Sequence, residues 1–163
     1  MSRLFRIRGR LFGLVALAIL GALVVAGVEL RALDQQLLED RKVLVRGAVD
    51  AAYALIQHEH DLTEAGVITV EEAQARAIKA VEAMRYLGSE YYFITDETPR
   101  IVGHPFMHDR IGHDMSDVVD PNGVRLFEEF VSVVRKDGAG FVSYLWPKTQ
   151  DAVESTPKIS YVR

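Results

Sequence analysis

Residues 91–102, YYFITDETPRIV, mark the point where this chain changes character. Tyr91–Thr95 is aromatic and β-branched, the composition of a strand. Asp96-Glu-Thr-Pro99 is a turn, and Arg100–Val102 is a second short strand. A hairpin is the simplest way to join them. Almost everything before residue 91 carries helical periodicity, and strands and loops dominate after it. The fold class is therefore α+β, a sheet packed on an N-terminal helical layer.

Working back from that hairpin, Thr69-Val-Glu-Glu72 reads as a capping box, with Thr69 as N-cap. The helix it opens runs to about Tyr86 with Val70, Ala73, Ala77, Val81 and Met84 on its apolar face, and Gly88 ends it. Asp61–Ile68 is a connector. Before the connector lies one long helix reaching about His60, with Leu30, Leu33, Leu37, Leu44, Ala48, Ala51 and Leu55 at 3-and-4 spacing. Its membrane-proximal half is a candidate for packing on a second copy, which points to a homodimer through the long helix.

That helix begins inside residues 11–28, LFGLVALAILGALVVAGV, an uncharged apolar run bounded by Arg10 and Glu29. At 1.5 Å per residue it covers about 27 Å, enough for a bilayer core. Arg3, Arg6, Arg8 and Arg10 precede it without an acid. The positive-inside rule places residues 1–10 in the cytoplasm and residues 29–163 outside the inner (cell) membrane. A cleaved signal peptide shares the basic start, but its apolar core is shorter, roughly 7–15 residues, and no clear cleavage site is present.

Downstream of the hairpin, His104–Val119 is a long loop with Gly103 and Gly112 as hinges. Asp120-Pro-Asn-Gly123 is a turn. A helix spans about Val124–Lys136, with Phe127, Phe130, Val131 and Val134 on its apolar side, and Asp137–Gly140 stops it. Phe141–Trp146 is a third strand, Pro147–Pro157 a loop or hairpin tip, and Lys158–Arg163 a fourth strand.

Composition narrows the function. The net charge is −4, and the first ten residues hold four of the 19 basic side chains and none of the 23 acids. The remainder is acidic, which does not suit nucleic acid, whose binding depends on neutralising phosphates. There is no cysteine, so disulfides, thiol catalysis and thiolate metal sites are excluded. No phosphate loop or G-x-S-x-G is present, and no nucleophile–base pair stands out; the chain reads as a non-enzyme without a cofactor.

Four segments, YYFITDETPRIVGHP, IGHDMSDVVDPNGVRLFEEFV, GAGFVSYLWPK and PKISYVR, in this order and spacing, resemble the single Cache domain, type 2. This is the extracytoplasmic sensor of many bacterial methyl-accepting chemotaxis proteins and some sensor kinases. The resemblance runs from about Arg41 to the C-terminus. It implies a long helix packed on a PAS-like antiparallel sheet, and a small ligand, often a short carboxylate of the acetate, propionate, pyruvate or lactate class. It also implies further chain: the sheet is expected to be incomplete at the C-terminus, the sensor truncated there, and a second crossing and signalling region to lie beyond it. A chemoreceptor sensor is the first reading. A histidine-kinase sensor, or a structural or partner-binding module whose pocket is filled by its own side chains, is the alternative.

By resemblance Tyr91 and Phe93 face the ligand. Strand alternation puts Tyr144 and Trp146 on one face of the third strand, and Lys158 and Ser160 on one face of the fourth. Such walls are apolar with directed O–H and N–H donors, as a small organic acid requires. Arg85, Lys158 and His104 are the candidate cationic and donor groups. Each has a plainer explanation. Aromatics at strand spacing form cores, Arg85 complements a helix C-terminus, Lys158 is solvated, and His104 fixes its loop. The imidazoles and acids of His58, His60, His104, His108-Asp109 and His113-Asp114 suggest a rival metal site. Helical geometry sets His58 and His60 about 200° apart, so the pair cannot share an ion, and no metal is assigned.

Overall fold

The computed structural model describes residues 2–147 and 154–163, without the side chains of residues 2–11 and 16. The chain divides into two compact units, Met1–Arg41 and Lys42–Arg163. Helix α1, Ser2–Glu64, provides the first and opens the second. In the first unit the apolar side chains lie open: Leu17 is 66% and Leu23 64% exposed. Apolar area left in water forgoes roughly 25 cal/mol per Å². This helix is long and apolar enough to cross a membrane. It ends at Glu64, a turn later than the expected His60. Gln57 bonds Asp61 across the last turns, and the helix stops only at Gly66, whose φ of +69° suits glycine.

In the second unit α1 buries Val45 and Ala52. Ala52 joins Val81 and Tyr92 in one core cluster, flanked by Val49, Ile56 and Ile94. Helix α2, Val70–Ala83, starts as expected: Thr69 Oγ1 accepts the Glu72 N–H at 3.1 Å, and Ala73, Ala77 and Val81 face inward. An ion pair between Arg76 and Glu59, 3.0 Å apart, ties α2 to α1.

Helix α2 is shorter than expected. Met84 leaves the helical region at ψ 144°, and Arg85–Tyr86 form strand β1, paired antiparallel with β2, Glu90–Tyr91. The turn between them places Leu87 at φ 47° and Gly88 at φ 85°, the two left-handed residues of a tight hairpin. Gly88 thus forms the turn of a hairpin and does not end a helix, and Arg85 is a strand residue. Tyr86 stacks on Tyr92 at 5.1 Å, a contact that favours the strand.

The expected continuous strand 91–95 is also divided. Tyr91 pairs back to Arg85, whereas β3, Ile94–Thr95, pairs forward with β4, Ile101–Gly103, across a register shift. The forward hairpin is the one read from the sequence, and Asp96 closes its turn by accepting the N–H groups of Thr98 and Arg100. Gly103 is a strand residue and not a hinge: α2 lies so close that a Cβ there would sit 3.0 Å from Ile78 Cγ2.

After the loop containing the short 3-10 turn His108–Arg110, helix α3, Leu126–Asp137, buries Leu126, Phe127, Phe130 and Val131 and stops at left-handed Gly138. Strands β5, Gly140–Pro147, and β6, Ser155–Val162, form one antiparallel ladder, from Gly140 opposite Val162 to Pro147 opposite Ser155. β6 begins three residues before the expected Lys158. Part of the expected 147–157 tip, and Lys148 of the quoted YLWPK segment, lie outside the described residues. Ile101, Met115, Leu126, Phe127, Phe130, Val142 and Tyr144 form the second core cluster; fully burying a side chain such as Ile101 contributes roughly 1.5–3 kcal/mol.

The architecture is α+β as expected; among the described residues its strands form three two-stranded ladders and not one sheet. Between β3 and β6 lies a cavity of about 320 Å³, lined by Ile94, Thr95, Tyr161 and Val162 with the inner faces of α1 and α3. Past the end of β6, Arg163 donates to Asp50 Oδ1 of α1 at 2.8 Å, and its guanidinium covers the Tyr53 ring at 4.0 Å.

Candidate functional site

The ring of Tyr91 is the centre around which the expected site residues gather. Lys158 Nζ lies 4.5 Å from its centroid. The His104 and Phe106 rings stand 5.1 and 5.0 Å away. The Trp146 indole, which can only donate, acts on its hydroxyl against the rise in pKa that burial causes. Phe93 packs 6.0 Å from His104 and 5.7 Å from Phe130. Tyr144 stands 6.3 Å from Trp146, and its hydroxyl lies 2.8 Å from Ser160 Oγ. Alternation survives the break between β2 and β3: Phe93 packs on the Phe130–Tyr144 cluster, whereas Tyr92 and Ile94 belong with α1 and α2.

Arg85 stands at the edge of this group. Its guanidinium lies 5.2 Å from the Phe106 ring, and Nη1 donates to the carbonyls of Glu82 and Met84 at 2.7 and 2.6 Å. Those carbonyls belong to the end of α2, so the arginine does the work of a C-terminal cap. His104 is 4% exposed. Its Nδ1 accepts the N–H groups of Phe106 and Met107 at 3.1 and 3.0 Å, and its own N–H donates to Glu82 Oε1 at 2.9 Å. It therefore fixes its loop, and the ring proton of its neutral form resides on Nε2.

The electrostatics favour an anion. Burial pushes the Lys158 ammonium below its ordinary pKa, partly offset by Glu90. Burial, with Lys158 and His108 adding to it, takes His104 down to about 4. Burial raises the Tyr144 hydroxyl against the Ser160 bond, and raises Tyr91 against the influence of the Trp146 indole. At neutral pH the cluster therefore presents one cation, a neutral imidazole and two protonated phenols. The 320 Å³ cavity, by contrast, holds only Tyr91 and Phe93 of the seven and carries Asp96 and Glu97 on its wall. Its one lining cation, Arg163, is already paired with Asp50, so those carboxylates make it the poorer place for an anion.

Phe106 links Arg85 to Tyr91 and escaped the sequence reading; its one signal is an aromatic two residues after His104. Ser160 was visible only as a neighbour of Lys158 on one strand face. Among the described residues no three His, Asp or Glu side chains converge as metal ligands.

This chain belongs to the single Cache domain 2 family, whose model matches residues 37–163. It is similar to the methyl-accepting chemotaxis protein McpP of Pseudomonas putida, 31% identical over 161 residues, a match covering 99% of this chain and 29% of that protein. The chain thus spans less than a third of the length of that curated relative. Two solved structures share the fold. A periplasmic sensor domain of a chemotaxis protein is 44% identical with a TM-score of 0.73, covering 76% of this chain and 85% of that one. A Cache chemosensory domain described for its carboxylic acid recognition is 33% identical with a TM-score of 0.72, covering 78% and 86%.

Proposed function

We propose that residues 29–163 are the extracytoplasmic sensing domain of a chemoreceptor, that they bind a small organic acid at the Tyr91 cluster, and that residues 11–28 hold them to the inner membrane with residues 1–10 in the cytoplasm. Acetate, propionate, pyruvate and lactate are the ligand class. Lys158 carries the reading: a partly buried cation set against an aromatic ring, whose burial the charge of Glu90 offsets only in part. A carboxylate beside Lys158 would restore the charge balance and accept from Tyr91, Tyr144, Trp146 and His104 Nε2. Phe93 supplies dry wall for the alkyl end, and Arg85 a second cation at the rim. The open leucines Leu30, Leu33 and Leu37 suit a homodimer through α1, and the acid signals by favouring one of two arrangements of that dimer.

Titration calorimetry of the full chain in lipid nanodiscs tests the ligand class. Heats with at least one of the four acids, lost in Lys158→Ala, support it. A second reading has its own observation: the Tyr144 hydroxyl already pairs with Ser160 Oγ, and the rings of Tyr91, His104, Phe106, Tyr144 and Trp146 pack on one another, so the cluster can satisfy itself as a structural module. Absence of heat with all four acids decides for that reading.

A further inference from the structure

We propose that Asp120 is a positioning residue for acid binding: through the Leu145 amide it fixes the strand segment that carries Tyr144 and Trp146. The proposal rests on the acid-binding reading above. Asp120 lies in the turn before α3 and is 6% exposed. Its Oδ1 accepts the N–H groups of Asn122 and Val124 at 2.9 and 2.8 Å, which shapes the turn. Its Oδ2 accepts the N–H of Leu145, 25 positions later in β5, at 2.8 Å. Leu145 is the residue between Tyr144 and Trp146.

The ladder explains why this bond matters. Leu145 sits opposite Pro157. Proline has no N–H, and Leu145 sends its own to Asp120. That makes Leu145–Pro157 a pair without mutual hydrogen bonds, where proline is tolerated. At this point β5 is held from its outer edge by a carboxylate, in the place a neighbouring strand would take. Burial opposes the charge of Asp120, but the N–H donors led by Leu145 and Val124 outweigh it and keep the carboxyl below its ordinary pKa. One charged anchor therefore sets the depth of the Trp146 N–H and the Tyr144 O–H together.

Trp146 is the only tryptophan of the chain, so its emission reports on this segment alone. The test compares the full chain in detergent micelles with Asp120→Asn and with Asp96→Asn, which disrupts a different carboxylate-closed turn. An asparagine at 120 retains one acceptor oxygen in place of two. The expected result is a red-shifted, more quenchable Trp146 emission and a roughly tenfold weaker affinity for sodium propionate in Asp120→Asn. Asp96→Asn is expected to lower Tm only. If Asp120→Asn keeps both the emission and the affinity of the parent, whatever its Tm, the proposal is overturned. If the parent chain binds none of acetate, propionate, pyruvate and lactate, the acid reading fails, and Trp146 emission alone then judges the anchor: shifted keeps it, unchanged removes it; if it binds one of the others, that acid replaces propionate in the comparison. Should Asp120→Asn not fold, Asp120→Glu, which displaces the carboxylate by one methylene, is read by the same two signals.

Discussion

Replacing Lys158 with methionine separates ligand capture from folding. Methionine keeps the unbranched stem and removes the charge. In the free protein the ammonium lies 4.5 Å from the Tyr91 ring centroid, a cation–π contact of about 0.5–1 kcal/mol. Against it stands the burial that lowers the Lys158 pKa. Below that pKa the folded protein carries a cation that burial disfavours relative to the unfolded chain, so removing it lifts a destabilising term. The two effects oppose each other, and Tm is expected to hold or rise. Acid binding behaves differently, because a hydrogen bond to a charged group is worth about 1.5–3 kcal/mol, or roughly a 10- to 150-fold loss of affinity. A third readout follows from His104, which Lys158 helps to hold at about 4: without the cation its titration moves upward toward 6.5. Calorimetry with propionate, a thermal scan and the His104 NMR titration measure the three. Unchanged affinity in Lys158→Met, or a His104 titration that stays in place, would refute the electrostatic reasoning.

The remaining predictions concern local packing and pH. The His104 pKa is depressed from 6.5 to about 4, so between those values the unfolded chain binds the extra proton. Stability is therefore fully present above about pH 6.5, falls as pH drops toward 4 by at most about 3 kcal/mol, and levels off below; denaturant titrations of the chain and of His104→Ala, which is expected to show the flatter profile, measure it. Gly103→Ala puts a Cβ 3.0 Å from Ile78 Cγ2 and 3.5 Å from Glu82 Oε1. It is expected to cost about 1–2 kcal/mol, or about 3 °C of Tm per kcal/mol, and an unchanged Tm contradicts the close approach of α2. Gly47 lies inside α1, and a Cβ there meets nothing within 4 Å. Gly47→Ala is expected to stabilise by up to about 1 kcal/mol, read as a higher urea midpoint.

Features set by neighbouring residues were legible in the sequence. The Thr69 cap, the Ala73–Ala77–Val81 face and the Asp96 turn each lie within one helix or one hairpin, where local chemistry decides. The sidedness of Tyr91 and Phe93 was legible for the same reason, since backbone alternation persists even where the pairing partner changes. The β1–β2 hairpin was not. It needs Leu87 at φ 47°, a conformation leucine does not advertise, and the Tyr86–Tyr92 contact that accompanies it forms only once that turn has closed. The Asp120–Leu145 bond spans 25 positions and leaves no periodic trace. Arg85 illustrates the reverse case. Its charge suggested a ligand, while its nearest acceptors are carbonyls one and three residues away.

The clip between Arg163 and Asp50 gives β6 a mechanical role. Lys158 and Arg163 are five residues apart on one extended segment, about 16 Å along the strand. A pull on Lys158 along that axis loads the β5–β6 ladder in shear, where the cross-strand bonds resist together and do not open one after another. A load at Lys158 would thus be shared along the ladder as far as the Arg163–Asp50 contact. Asp50 lies on α1, so that path ends on the helix that also contains residues 11–28.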